Sequence, residues 1–205
     1  MNLIELAIKG GWIMAVLFVL SIISVSLFIE RWLVTRKALK FEEKTYIEIL
    51  RLIDKNKAGE AADICKLSDS PICKILKQGL KYADTDMNLA QETIEQTASQ
   101  FIKSLEKNIT TISTFAAIAP LIGFLGTVTG MIRVFQKLDE TAGAAVMQEL
   151  AGGIWEALTT TVAGLIVGIL CIIFHNHLVN KIEAIAFTID EKITQVTVHL
   201  RRIQK

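Results

Sequence analysis

A chain of 205 residues that is 52% hydrophobic and only 21% charged is long enough for one ordinary soluble domain but too apolar to be one. A net charge of +1 with no dense basic tract excludes an electrostatic surface for nucleic acid. Mean hydropathy is +0.46, and two prolines and twelve glycines leave little to interrupt long helices, so the chain reads as all-α.

The apolar residues collect into three runs, and the segments between them carry nearly all the charge. Residues 1–10, with Leu3, Ile4, Ala7 and Ile8 apolar, suggest a short amphipathic helix lying on the membrane surface. Residues 11–29 form the first span. From Trp12 to Ile29 no residue is charged, which is enough helix to cross about 30 Å of hydrocarbon. A secretory signal is disfavoured, because Arg31, Arg36, Lys37 and Lys40 follow the run and only Lys9 precedes it. Residues 30–108 read as a cytoplasmic helical region. Within it Ser70-Pro71 marks one helix start, with proline at the first helical position, and Asp84-Thr85-Asp86 marks another by side-chain capping. From Met87 onward Ile94, Ala98, Phe101 and Leu105 form an apolar stripe, on a helix expected to run straight into the second span at 109–132. A short periplasmic connection at 133–153 leads to the third span at 154–174, with Glu156 near its start. In the tail, 175–205, Ile182, Ala186, Ile189, Ile193, Val196, Leu200 and Ile203 fall on one seam. So regular a seam needs a partner, and a cytoplasmic bundle of the tail with roughly 31–108 supplies one. Fourteen basic residues lie between Arg31 and Lys107, two between the second and third spans and five in the tail, so the order across the membrane is out, in, out, in.

Enzyme signatures are missing: no nucleophile elbow, phosphate loop or paired-carboxylate motif stands out, and no catalytic residue, metal or cofactor is expected. Cys65, Cys73 and Cys171 lack metal-ligand spacing and read as buried small hydrophobes, and His175-Asn176-His177 reads as an interfacial polar cap. The informative residues lie inside the second and third spans. Gly123, Gly126 and Gly130 beside Thr127, and Gly164 and Gly168 below Thr159, Thr160 and Thr161, allow close helix packing. Packing alone leaves Glu156 unexplained. An ionisable group on a membrane helix costs a few kcal/mol at mid-depth. Two readings stand side by side: a carboxylate reaching back to the outer interface, or the head of a polar stripe leading inward past the threonines.

The stretches APLIGFLGTVTGM, from Ala119 to Met131, and GIWEALTTTVAGL, from Gly153 to Leu165, resemble the second- and third-span signatures of the MotA/TolQ/ExbB proton-channel family, most closely its three-span ExbB and TolQ members. The resemblance covers almost the whole chain. It implies a homopentamer in a bacterial inner membrane, with the N-terminus periplasmic, the C-terminus cytoplasmic and membrane lipids around it. The pentamer's pore would enclose the single membrane helix of an ExbD- or TolR-like partner, usually in two copies. A partner aspartate would carry the proton, and this chain would supply a ring of polar side chains. Thr127 and Thr161 match the pore-facing threonines, Glu156 matches the third-span glutamate, and Thr160 continues the same polar stripe; Trp155 and Thr129 receive no role. The implied function is a motor subunit that works on a TonB-like protein for outer-membrane uptake. A TolQ-like role in envelope maintenance, acting on a TolA-like protein, shares the mechanism. A flagellar stator is disfavoured by the three spans, and a purely structural scaffold would tolerate Glu156→Gln.

Overall fold

In a computed structural model the described residues are 11–39, 42–140 and 147–203, without the side chains of 147–149 and 203, and they fold into seven helices with no strand among them. In chain order these are α1 (Gly11–Ala38), α2 (Glu43–Asp54), α3 (Ala58–Leu67), α4 (Pro71–Leu80), α5 (Met87–Leu105), α6 (Ile109–Glu140) and α7 (Met147–Ile203). The expected amphipathic segment at 1–10 lies outside the described residues. Three stretches are long and apolar enough to cross a membrane: Gly11–Ala38, Met87–Glu140 and Leu150–Arg202. The chain divides into two compact units. One holds α1 up to Glu30, α6, and α7 up to His177; the other holds Arg31 to Lys107 and the chain from Leu178 on.

In the first unit Ile13, Leu17 and Leu20 of α1 pack with Ala119 of α6, and Phe115, Ile118, Ala163 and Val167 close around them. Polar groups in these apolar helices find partners nearby, as hydrocarbon requires. Ser24 Oγ donates to the Leu20 carbonyl at 2.8 Å and accepts from Cys171 Sγ at 3.3 Å. Phe28 stacks on Phe174 with ring centroids 4.2 Å apart. Trp12, Phe18, Val19 and Ile22 are exposed on the outer side of α1, an arrangement lipid tolerates and water does not. Helix α6 carries Pro120 in its interior, which leaves the Ala116 carbonyl without its usual donor and crowds the turn before it. Past Ile132 the helix runs on to Glu140, because Arg133 to Glu140 contains neither Gly nor Pro to stop it.

One expectation needs correcting at the start of α6. The helix from Met87 does not run straight into the second span: α5 ends at Leu105, and Asn108 takes a left-handed conformation, φ 64°, before α6 begins at Ile109. Asparagine is among the few non-glycine residues that adopt it at small cost.

In the second unit each helix from α2 to α5 packs on the next. Helix α4 starts at Pro71, with Ser70 just before it. Helix α5 starts after Asp86, whose carboxylate accepts from the Asn88 and Leu89 amides at 2.9 and 3.1 Å. Asp86→Ala should therefore cost about 1 kcal/mol and raise hydrogen exchange at those two amides about fivefold. The tail's stripe consists of Leu178, Ile182, Ile185, Ile189, Ile193, Val196 and Leu200, all buried. Ile185 takes the inward place expected for Ala186, which is half-buried, and the larger side chain removes more apolar surface from water. Polar contacts tie the tail to the rest of the same unit: Tyr46 Oη donates to the Lys192 carbonyl at 2.9 Å, His199 Nδ1 lies 2.5 Å from Asp54 Oδ1, and Arg201 donates to Gln91 Oε1 at 2.7 Å.

Candidate functional site

The candidate residues meet where α6 and α7 run antiparallel in the first unit. Small residues face each other along the whole seam. A Cβ on Gly164 would stand 2.6 Å from the Ala119 carbonyl oxygen and 2.8 Å from Gly123 Cα, so the two backbones touch here. One turn toward the chain's outer end, as the expected topology has it, a Cβ on Gly126 would strike the Thr160 side chain; a turn further, one on Gly130 would lie 2.8 Å from Ala157 Cβ. At the opposite end Gly168 leaves room for the Pro120 ring, since a Cβ there would stand 2.7 Å from Pro120 Cγ. Close approach lets dispersion and interhelical hydrogen bonds act where the hydrophobic effect between helices is absent.

Hydroxyls supply those bonds. Thr161 Oγ1 donates across the seam to the Gly123 carbonyl at 3.0 Å from a half-buried position. Thr160 is 2% exposed, donates to the Ala157 carbonyl of its own helix at 2.7 Å and lies 3.4 Å from the Gly123 carbonyl. Thr127, half-buried, returns its proton to the Phe124 carbonyl at 2.6 Å. The four polar residues therefore take different positions. Thr160 sits inside the seam between the helices, Thr161 bridges the seam at its edge, and Thr127 and Glu156 keep partial exposure.

Glu156 is not alone at its end of the seam. Its Oε1 accepts from Arg133 Nη1 at 3.2 Å, with the Glu156 side chain 30% exposed and that of Arg133 52%. Gly11, at the start of α1, adopts φ 63°, and a Cβ there would reach within 2.9 Å of the same Glu156 oxygen. In the sequence Arg133 is the first residue past the second span at 109–132. The available signal was its opposite charge at the same predicted membrane level as Glu156, although the two are 23 residues apart.

No group of three or more His, Cys, Asp or Glu side chains suited to a metal occurs among the described residues. Cys65, Cys73 and Cys171 are buried free thiols. The first two interact: a hydrogen bond from Cys65 lowers the pKa of the Cys73 thiol, and the same bond together with burial raises that of Cys65.

These features define a multi-pass helical membrane protein whose second and third spans are joined by small residues and threonine hydroxyls. A model of the MotA/TolQ/ExbB proton channel family matches residues 67–191. The putative biopolymer transport protein ExbB-like 1 of Synechocystis sp. is 32% identical over 183 residues, covering 87% of this chain and 71% of that one. ExbB-like 3 of the same organism is 30% identical over 171 residues, or 82% and 80%. The Tol-Pal system protein TolQ of Haemophilus influenzae is 28% identical over 218 residues, or 98% and 95%. The chain belongs to the MotA/TolQ/ExbB proton channel family and is a channel subunit of the ExbB/TolQ type.

Proposed function

We propose that this chain is the channel subunit of an ExbB-like motor, which with an ExbD-like single-span partner converts the proton-motive force into work on a TonB-like protein for outer-membrane uptake. One observation carries the reading: Glu156 is the only acidic residue in the three apolar runs, and it lies at one end of its run. A proton path through the hydrocarbon needs a group that takes up and releases the proton at depth. A second chain has to bring it, and Thr127 and Thr161 stand ready to line its way with hydroxyls. The subunit is a homopentamer in the inner membrane of a bacterium, with its basic segments on the cytoplasmic side. One charge falling through about 100 mV releases about 2.3 kcal/mol, enough to turn an inner helix against its surroundings by a small step.

The similarity to TolQ favours a second reading, a motor acting on a TolA-like protein in envelope maintenance. Expression together with the cognate single-span partner, in a bacterium lacking its own ExbB- and TolQ-type subunits, separates the two. Recovery of energy-dependent uptake through outer-membrane receptors, without repair of detergent sensitivity, is the expected result. Repair of detergent sensitivity alone would move the assignment to the envelope motor.

A further inference from the structure

We propose that Arg133 is a positioning residue for proton entry: its guanidinium holds the Glu156 carboxylate at the outer end of the α6–α7 seam, where Glu156 takes up the entering proton, and draws it back there after each transfer. The proposal rests on the proton-motor reading above and adds to it a residue from a different helix.

An ion pair in open water contributes little, because solvent screens it and two long side chains must be immobilised. Three observations set this one apart. The carboxylate is the more enclosed partner, 30% exposed against 52% for Arg133. The chain at Gly11 comes so close that any side chain there would crowd Glu156 Oε1, and its φ of 63° is a conformation glycine adopts readily. A small cavity of about 10 Å³, about one water molecule in size, runs from the ion pair to Thr129 and Thr160. The pair thus closes one end of a polar strip that leads into the seam.

The hydroxyls on this strip are already committed as donors. Thr129 donates to the Leu125 carbonyl at 2.9 Å and Thr160 to the Ala157 carbonyl. Each keeps lone pairs with which to accept, so the strip can take a proton donor and offers no competing acid. Arg133 keeps its charge throughout and takes no part in the transfer. While Glu156 is bound to it, one carboxylate oxygen is occupied and the carboxylate stays on the outer side. A hydronium ion at the mouth gives one proton to the oxygen that Arg133 leaves open; Glu156 becomes the neutral acid and loosens from the guanidinium, and when the proton passes inward it regains its charge and returns to Arg133. Lys137, one turn along α6, lines a neighbouring cavity of about 270 Å³ together with Arg133 and Glu156 and places a second cation at the same mouth.

The test uses the complex of this chain with its single-span partner, reconstituted in liposomes, with proton flux measured under an imposed potential and subunit ratio checked for each variant. Arg133→Gln should lower flux at least fivefold with the subunit ratio unchanged, and Arg133→Lys should keep at least half the flux. Arg133→Gln added to Glu156→Gln should bring no further loss, because the arginine acts through the glutamate. Flux within twofold of wild type in Arg133→Gln, with Glu156→Gln clearly impaired, would overturn the role of Arg133 and leave the motor reading standing. Independent losses in the two variants would also overturn it. Glu156→Gln at wild-type flux would remove both the positioning role and Glu156 from the path. If Arg133→Gln fails to assemble, the exchange Arg133→Glu with Glu156→Arg supplies the answer. It should restore assembly but not flux, whereas restoration of both would reduce the pair to a structural link.

Discussion

Thr161→Val should lower proton flux through the assembled complex about tenfold or more, the loss expected when a group worth about 1.4 kcal/mol to the transfer step disappears. Valine has nearly the shape of threonine, so the packing of α7 on α6 is kept. What goes is one hydrogen bond, from Thr161 Oγ1 to the Gly123 carbonyl at 3.0 Å. Interhelical bonds of this kind in membranes contribute about 0.6 kcal/mol on average, too little to undo assembly. Thr161 is half-buried at the edge of the seam, where its hydroxyl can meet a proton carrier as well as its present acceptor. Thr160 provides the contrast. At 2% exposure, with Gly126 against its side chain, it cannot face a partner without the helices parting. Thr160→Val should therefore weaken assembly as well as flux, whereas Thr161→Val should lower flux alone. Flux measured beside the fraction of chains in the complex distinguishes the two; equal flux losses in both variants at full assembly would argue against the division drawn here.

Gly164→Val should abolish assembly, leaving less than about a tenth of the wild-type complex, since overpacking by rigid neighbours commonly costs 1–3 kcal/mol or more. The obstacle is backbone: a Cβ would stand 2.6 Å from the Ala119 carbonyl oxygen, 2.8 Å from Gly123 Cα and 3.0 Å from Gly123 N. None of these atoms is the end of a flexible side chain, so relief requires the two helices to separate, which would also stretch the Thr161 bond. Gly59→Ala is the matched control. Nothing lies within 4 Å of a Cβ there, and alanine is the better helix former by roughly 0.5–1 kcal/mol. Size-exclusion profiles of the purified variants in detergent report both outcomes.

Much of this architecture was legible in the sequence for identifiable reasons. Uncharged runs of membrane length announce spans regardless of tertiary context, and short-range chemistry marked the helix starts at Pro71 and after Asp86. The tail's stripe was legible in period but not in detail. Ile185 and Ala186 are adjacent and both fit a 3.6-residue repeat, and only the packing of the second unit places Ile185 inward. The break at Asn108 was hidden because a single left-handed residue leaves no mark on hydropathy. In the candidate site, Gly123, Gly126, Gly130, Gly164 and Gly168 could be picked out by residue type, but which one faces which carbonyl depends on how two helices meet. The relation of Arg133 and Gly11 to Glu156 is illegible for the same reason: it joins three segments far apart in the chain, and no local pattern carries it.

Native mass spectrometry of the chain co-expressed with a partner that has one apolar span and one aspartate in it decides whether this chain is a channel subunit completed by a second protein. The expected result is a complex of five copies of this chain with fewer copies of the partner. A monomer or dimer that retains no partner, under conditions in which a known relative assembles, would contradict it.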